Sequence, residues 1–566
     1  MKSRTSFFDP TVFWKNTTRF APAWALYAVL MFMIMLTFAG SEAGAEFAVS
    51  LGEMTHFTGA AAMLCAFVYA QLLFGDLYSS RMCNALHAMP IRRETWFATN
   101  VLSGLAFWTV PNGLFTVIFL LLTGGVWEAP LLWFAVAMLQ YLFFFGIAVL
   151  SAYCVGNRFA MALVYGLVNF LSLILYWLVA NLYEPLLFGL TVPEDIFSLL
   201  CPAVHLIGDS YFQVRCVFTL HTVTSMEIVY ESGWLYLGIS AAVGLGALAL
   251  ALVLYRRRNL ECAGDFMAVR RLGPVFLILY TFCAGVFCHG FNTLFLGEEN
   301  YVFLVLGLAI GFFTGLMLLH RTVRIFQKKT FLAFSCLAAA FVLSLALTAW
   351  DPLGITRWIP DADQVENVQI TTGASHYGTE DGPELERAED IEKVLRIHEI
   401  CLNSRNRTAA TQTAYMNITI RYQLKNGQTR QRDYGVDLDR SELEQIRPLL
   451  SRPEAVLGDI YTNPDSAALV RAELSGEELA WTTEDELESL VDAIVRDCEA
   501  GNMAQDWAFA EEADYIGWIV IETRQPNGLY YARDIRIHED CANVMAWLKA
   551  AARWTPADSD KFADGK

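Results

Sequence analysis

Nine apolar stretches, each about 20 residues long, fill most of the first 350 residues of this chain. A helix needs about 20 apolar residues to cross the roughly 30 Å hydrocarbon layer of a bilayer. The sequence therefore predicts a polytopic α-helical membrane protein with about nine transmembrane helices, followed by a water-soluble tail. The predicted spans cover residues 22–40, 57–75, 101–124, 131–153, 159–181, 234–255, 273–290, 301–319 and 329–350.

The interiors of these predicted spans carry no Asp, Glu, Lys or Arg. Ionisable groups inside a membrane usually mark ion or proton pathways, so the sequence argues against a proton-coupled pump, a voltage sensor or an ion-coupled carrier. His56 and His289 fall at predicted span ends, where we expect interfacial positions. The polar residues within the spans are expected to hydrogen-bond neighbouring helices: Gln71, Asn112, Gln140 and Asn169.

Basic residues occur in alternate connections, which predicts the orientation of the chain. Lys and Arg gather on the cytoplasmic side of membrane proteins, so the N-terminus is predicted inside and the tail outside. Residues 7–20 suit an interfacial helix on the inner leaflet, and an ordinary anchor in the aromatic belt accounts for them equally well. The long outer connection 182–233 is predicted to hold short helices. The basic connections lie near residues 2–19, 81–93, 158, 256–271 and 321–329, and the acidic ones near 42–53, 128, 184–231 and 298–299.

The tail, residues 351–566, differs sharply from the membrane part in charge. It holds 41 Asp and Glu against 22 Lys and Arg, a net charge of −19, whereas residues 1–350 have a net charge of +1. Helical and strand periodicities alternate in it. Hairpin turns are predicted at Asn426-Gly427 and at Asn527-Gly528. The same order of strand, helix, hairpin and helix occurs twice, which predicts an extracytoplasmic α+β domain of two related modules, about 361–455 and 466–555.

The tail shows no catalytic constellation in its sequence. His376, His398 and His538 are scattered and are predicted to lie at the surface or at the edge of a buried stripe. No calcium-binding loop accompanies the acidic residues 484–488. Cys401 and Cys498 each end a comparable predicted helix, so the sequence allows a disulfide between them without requiring one.

Loop 77–95, between the second and third spans, is the candidate functional site. A short helix, residues 81–88, is expected to stop before Pro90, and a new helix is expected to start near Arg92. Such a compact segment, apolar at some positions and charged beside them, suits a groove on a cytoplasmic partner. A plain helical hairpin with cytoplasmic arginines accounts for it equally well.

The stretch ALHAMPIRRETWFATNVLSGL, residues 85–105, resembles the loop after the second span of ABC-2-type permease subunits in bacterial ABC transporters. Residues 15–24, 254–276 and 351–368 are similar to other parts of the same group, the last to a subgroup with an outer domain. The chain departs from many members, which have six spans. The resemblance implies that this loop docks on the ATPase through Leu86, His87, Ala88, Met89, Pro90, Ile91, Arg92, Arg93 and Glu94.

The resemblance implies a membrane-spanning subunit that exports an amphipathic compound or peptide and works with a cytoplasmic ATPase and a second permease subunit. The sequence has no G-x-x-x-x-G-K-[ST] motif, so ATP is expected to bind the partner, and neither cofactor nor nucleic acid is expected here. A membrane-anchored receptor or sensor is the alternative. An intramembrane enzyme is disfavoured, because the spans offer no set of polar catalytic groups.

Overall fold

The computed structural model describes most of the chain: residues 7–41, 45–123, 126–191, 199–219, 222–258, 262–296, 301–372, 384–405, 413–462, 468–474, 477–481, 484–503, 515–524 and 530–550. The chain divides into two compact units. The membrane unit consists of Met1–Asn181 with Pro193–Val342, and the tail unit of Leu182–Val192 with Leu343–Lys566. The segment that follows the fifth span thus belongs to the tail unit.

Within the described residues, nine helices are long and apolar enough to cross a membrane, which confirms the prediction at this level. The second span begins earlier than predicted, because helical structure continues past the apolar stretch into polar sequence. The helix of the third span begins at Arg93, close to the start predicted near Arg92. The nine spans are α2 (Ala21–Ser41), α3 (Ala45–Leu73), α5 (Arg93–Leu122), α6 (Glu128–Cys154), α7 (Arg158–Leu182), α9 (Trp234–Arg257), α10 (Gly273–Leu296), α11 (Tyr301–His320) and α12 (Lys328–Trp350).

Three shorter helices join these spans: α1 (Pro10–Arg19), α4 (Ser80–His87) and α8 (Pro202–Gly208). The predicted N-terminal helix is therefore present, and Asn16 on it donates to Asn100 Oδ1 on the third span at 2.9 Å. The outer connection contains α8 and also an antiparallel hairpin, β1 (Phe212–Thr219) and β2 (Thr222–Tyr230), which the sequence reading missed.

Some connections were predicted to lie on the same side of the membrane, and these connections are in contact with one another. The Gly264 N–H donates to the Gly156 carbonyl at 2.8 Å, and Arg321 Nη1 lies 3.6 Å from Asp265 Oδ1. These pairs join the connections that precede the fifth, seventh and ninth spans. The fifth and sixth spans therefore run in opposite directions, as do the seventh and eighth, in agreement with the predicted alternation.

The long connection 182–233 is likewise joined to the spans. His56 Nδ1 lies 2.6 Å from the Ile207 carbonyl, and Gln140 Nε2 donates to the Leu206 carbonyl. These contacts fix α8 against the second and fourth spans. The Leu206 and Ile207 carbonyls at the end of α8 thus contact polar side chains. Carbonyls within the hydrocarbon layer need such hydrogen-bond partners.

Polar side chains in the spans make the hydrogen bonds that were predicted, with one exception. Gln71 Nε2 donates to the Arg158 carbonyl at 2.8 Å, and Tyr27 donates to Asn112 at 2.7 Å. Asn169 instead donates to the Tyr165 carbonyl of its own helix. His289 is buried within α10, which extends to Leu296; its interfacial position stays a prediction.

The core of the membrane unit is aromatic and closely packed around α6. Four rings from three helices stack in succession, with centroid separations of 4.5, 4.7 and 5.2 Å: Tyr27, Trp108, Tyr141 and Phe145. Small residues allow helices to approach elsewhere. A Cβ added at Gly311 would lie 2.6 Å from Ala284 Cβ, so α10 and α11 cross where only glycine fits.

The tail unit holds two four-stranded sheets with the same strand order. The first reads β4-β3-β5-β6 and the second β8-β7-β9-β10, and every recorded pairing is antiparallel. Each contains a strand pair, a helix, a hairpin and a second helix in chain order. The elements are β3 (Val365–Thr372), β4 (Glu384–Leu385), α13 (Ala388–Ser404), β5 (Thr413–Leu424), β6 (Thr429–Asp439), α14 (Arg440–Leu450), α15 (Pro453–Leu457), α16 (Asp459–Thr462), β7 (Ala468–Leu474), β8 (Glu477–Trp481), α17 (Glu484–Glu499), β9 (Tyr515–Arg524), β10 (Tyr530–His538) and α18 (Ala542–Ala550).

The first predicted hairpin is confirmed: β5 pairs with β6, and Gly427 has φ +80°, a value that favours glycine. The second hairpin pairs β9 with β10, while Asn527-Gly528 lies outside the described residues. The disulfide does not form, because Cys401 and Cys498 are free thiols in separate cores. Burial raises the pKa of each thiol to about 12.

The predictions for two tail histidines were wrong. His398 is fully buried between α13 and the first sheet, and His538 is only 8% exposed. The partners of His398 are hydroxyls on β5 and β6, which the sequence pattern of its own helix does not reveal. His376 lies outside the described residues.

Candidate partner-docking loop

Loop 77–95 is built from a 3₁₀ turn, a two-turn helix and a proline-containing bend. The 3₁₀ turn is Gly75–Tyr78, and α4 follows. Pro90 has no N–H to continue a helix and disfavours helical backbone at the residue before it. Arg92 is extended, with φ −69° and ψ 148°, and forms the N-cap of α5. The bend 88–92 therefore lies between two helices, as predicted.

The bend presents the outward surface of the loop. Ala88, Met89, Pro90 and Arg92 are exposed, Met89 by 41%, and Ile91 is half-buried. An exposed methionine beside an exposed arginine offers both apolar area and charge to a partner. The side chains of Leu86 and His87, which the prediction also included, lie outside the described residues.

Arg93 and Glu94 turn inward, unlike the bend. Arg93 Nη1 donates at 3.4 Å to the carbonyls of both Tyr255 and Arg258, and its guanidinium lies 5.8 Å from the Tyr255 ring centroid. Glu94 Oε1 lies 3.2 Å from Arg256 Nε. These two residues hold the loop to the end of α9, so the predicted docking surface divides into an outward part, 88–92, and an inward part, 93–94.

Beneath the inward part lies a cluster of aromatic rings, one from each of four elements. Phe97 and Tyr153 have centroids 5.7 Å apart, Tyr153 and Tyr255 are 5.0 Å apart, and Phe74 is 5.4 Å from Tyr153. Aromatic pairs at such separations contribute about 0.5–1.5 kcal/mol beyond area burial. The loop therefore stands on a closely packed base formed by rings from the third, fourth and sixth spans and by Phe74, which directly follows the second span.

Arg256 and Arg258 contact the candidate loop, and sequence reasoning missed both contacts. The run Arg256-Arg257-Arg258 indicated only the cytoplasmic side. Arg258 donates from Nη1 to the Tyr153 carbonyl at 3.1 Å and from Nη2 to the Leu77 carbonyl at 3.5 Å. Burial raises the pKa of the nearby Cys83 thiol, and the Arg258 charge opposes that rise. No local sequence signal separates the three arginines.

The tail unit contains a second concave feature, an open cleft of about 510 Å³. The segment 184–191 forms one wall, and the outer face of β5 and β6 forms the other. Asp433 joins the two walls: it accepts hydrogen bonds from Thr191 and from Thr419 Oγ1, and its N–H donates to the Gly189 carbonyl at 3.3 Å. The lining includes Leu187, Phe188, Tyr415, Asn417, Gln431 and Tyr434.

Behind the cleft, His398 lies between two tyrosines. Its Nδ1 is 2.9 Å from the Tyr422 hydroxyl and its Nε2 is 2.6 Å from the Tyr434 hydroxyl. Burial, together with the charge of Arg432, lowers the pKa of His398 to about 4. The imidazole is therefore neutral at pH 7, with one ring nitrogen donating and the other accepting.

No set of three or more His, Cys, Asp or Glu residues in the described ranges is placed to hold a metal ion. Comparison with known proteins finds no matching family model, no matching curated protein and no matching solved structure.

Proposed function

We propose that this chain is the membrane-spanning subunit of an ABC transporter, an ABC-2-type permease in a bacterial cell membrane. In this proposal the N-terminus is cytoplasmic, the tail unit is an extracytoplasmic domain of two duplicated modules, and a separate ATPase supplies the energy. A second permease subunit completes the transporter, which exports an amphipathic compound or peptide.

The observation that carries the proposal is the exposed bend 88–92, held on a firm base at the membrane face where the basic connections meet. A docking element needs an exposed surface to bind its partner and a stiff attachment to pass on motion. This bend has both. The resemblance of residues 85–105 to the docking loop of such permeases gives the partner its identity.

Purification of the tagged intact protein from its host membrane, with identification of co-purifying subunits, tests the proposal. We expect an ATPase to co-purify with the wild type and to be lost from Met89→Asp and from Arg92→Glu. Arg324→Glu is the matched control, because Arg324 is exposed in a different connection on the same side. Undiminished ATPase recovery with both bend variants would rule out this docking surface.

Orientation is tested separately with a membrane-impermeant maleimide on intact cells. We expect a cysteine introduced at Asn426, in the first tail hairpin, to be labelled from outside. A cysteine at Met89 should be labelled only after permeabilisation. The wild-type chain provides the background from native thiols. Labelling of Met89→Cys in intact cells would overturn the proposed orientation.

The cleft of the tail unit favours the alternative, a membrane-anchored receptor or sensor that binds a ligand there. The same purification distinguishes the two proposals, because a signalling partner and no ATPase would co-purify with a sensor. Variants of the bend would then leave signalling unchanged, whereas Asn417→Ala and Gln431→Ala in the cleft would reduce it.

A further inference from the structure

Loop 77–95 connects the second and third spans, yet both of its ends are held by the sixth. At the start of the loop, the Leu77 carbonyl accepts from Arg258 Nη2. At its end, Arg93 donates to the Tyr255 and Arg258 carbonyls, and Glu94 pairs with Arg256. Tyr255, Arg256 and Arg258, at the end of α9 and its C-cap, thus contact the loop from both sides of the bend.

Arg258 has the most extensive role among these residues. Its Nη1 donates to the Ala152 and Tyr153 carbonyls at 3.3 and 3.1 Å, in the last turn of α6. Carbonyls in the last turn of a helix have no partner within the helix, and a cation there is favoured by the helix dipole. One guanidinium therefore joins the fourth span and the start of the loop, while its own carbonyl accepts from Arg93.

Only arginine has the geometry for these contacts. The planar guanidinium carries five N–H donors in a fixed arrangement, whereas the lysine ammonium is a compact point charge on a flexible stem. Arg257, the preceding residue, is exposed. Substitution of either arginine by glutamine removes one positive charge, so Arg257→Gln is a matched control for Arg258→Gln.

We propose that Arg258 is a positioning residue that couples the docking bend to the fourth and sixth spans; the coupling rests on the proposed function. Movement of the bend by a docked ATPase would then pull on α9 and α6 directly, as well as on the spans that the loop connects. The bend makes the partner contact, and Arg258 transmits the motion.

Hydrogen exchange of the intact protein in lipid nanodiscs, read by mass spectrometry over residues 77–96, tests the holding role without any partner. We expect Arg258→Gln to speed exchange in this segment about tenfold, the scale of a lost hydrogen bond to a charged group. The exchange rate of Arg258→Lys should lie between those of the wild type and Arg258→Gln, and the rate of Arg257→Gln should match the wild type. Unchanged exchange in Arg258→Gln would overturn the proposal.

The ATPase, once identified, tests the transmission. We expect Arg258→Gln to retain ATPase binding, because the bend is untouched, and to lose most of the ATP hydrolysis that the membrane subunit stimulates. A residue that only supported folding would lower both together. Normal stimulation in Arg258→Gln would refute transmission through this residue. Failure of any ATPase to bind the wild type would refute the proposed function alone, since the exchange result stands by itself.

A charge exchange provides a second route in case Arg258→Gln does not fold. Glu94→Arg places two cations together and should speed exchange over residues 91–96. Adding Arg256→Glu restores an ion pair of opposite sense and should restore both slow exchange and stimulated hydrolysis. Absence of rescue in the double variant would contradict the role of the α9 end in holding the loop.

Discussion

Acid should weaken the first module of the tail unit through one residue, His398. Burial lowers the pKa of this histidine from its ordinary 6.5 to about 4. Between these values the unfolded chain binds a proton that the folded module does not bind. Stability is therefore greatest at neutral pH and is lost as the pH falls from about 6.5 to about 4. The difference corresponds to about 3 kcal/mol, or about a hundredfold in the opening equilibrium.

The groups that face His398 do not alter the sign of this effect. They are the hydroxyls of Tyr422 and Tyr434, which stay neutral because burial raises the pKa of each phenol above its ordinary value, and the guanidinium of Arg432. A guanidinium remains charged throughout this pH range and disfavours a second cation beside it. The substitution His398→Gln keeps one donor and one acceptor and removes the titration.

Hydrogen exchange of the intact protein between pH 7 and pH 4.5, corrected for intrinsic exchange rates, measures the opening of α13 and the β5–β6 hairpin. We expect wild-type protection to fall steeply over this range and the His398→Gln profile to be nearly flat. His320→Gln, a change at an exposed position of the membrane unit, is the control and should follow the wild type. Parallel slopes for the wild type and His398→Gln would refute the reasoning.

Other substitutions test packing and ion pairing. Gly311→Ala should destabilise the α10–α11 crossing by about 1–3 kcal/mol, because the new Cβ would meet Ala284 at 2.6 Å. Gly246→Ala, which adds a Cβ in open space, is the control and should leave the melting temperature in detergent unchanged within error. Equal melting temperatures for the two variants would disprove the close crossing. Asp390→Asn should cost the first module about 2–4 kcal/mol, because Arg452 donates to that buried carboxylate at 2.6 and 3.0 Å. Since the Arg452 hydrogen bond lowers the pKa of Asp390, this contribution is lost only below about pH 4, so a loss already complete at pH 5 would contradict it.

The sequence was most informative where structure depends on local pattern. Apolar length located all nine spans, because a bilayer demands about 20 apolar residues whatever the partners are. Asn426-Gly427 located a hairpin, because few residues accept positive φ. Span ends were less certain: α3 begins at Ala45 rather than near residue 57, since helical hydrogen bonding does not stop where the hydrocarbon does.

Features that depend on distant residues were missed for a physical reason. The helical periodicity of α13 predicted a buried stripe, and His398 interrupts it. Whether a histidine can be buried depends on hydrogen-bond partners, and these come from β5 and β6, more than 20 residues away. The β1–β2 hairpin lies in a long connection between spans, where a search for apolar length gives no signal.

The charged residues of loop 77–95 show why a docking surface and its support cannot be separated by sequence. Arg92 and Arg93 are adjacent and chemically identical, and both contribute equally to the positive charge of the loop. Arg93 nevertheless faces two carbonyls that lie more than 160 residues later in the chain, whereas Arg92 lies at the surface. A double charge reversal at 92 and 93 would thus change partner contact and internal attachment together. Reversal at Arg92 alone addresses the contact, and Arg258→Gln addresses the attachment, so comparison of these two variants assigns each role to its own residue.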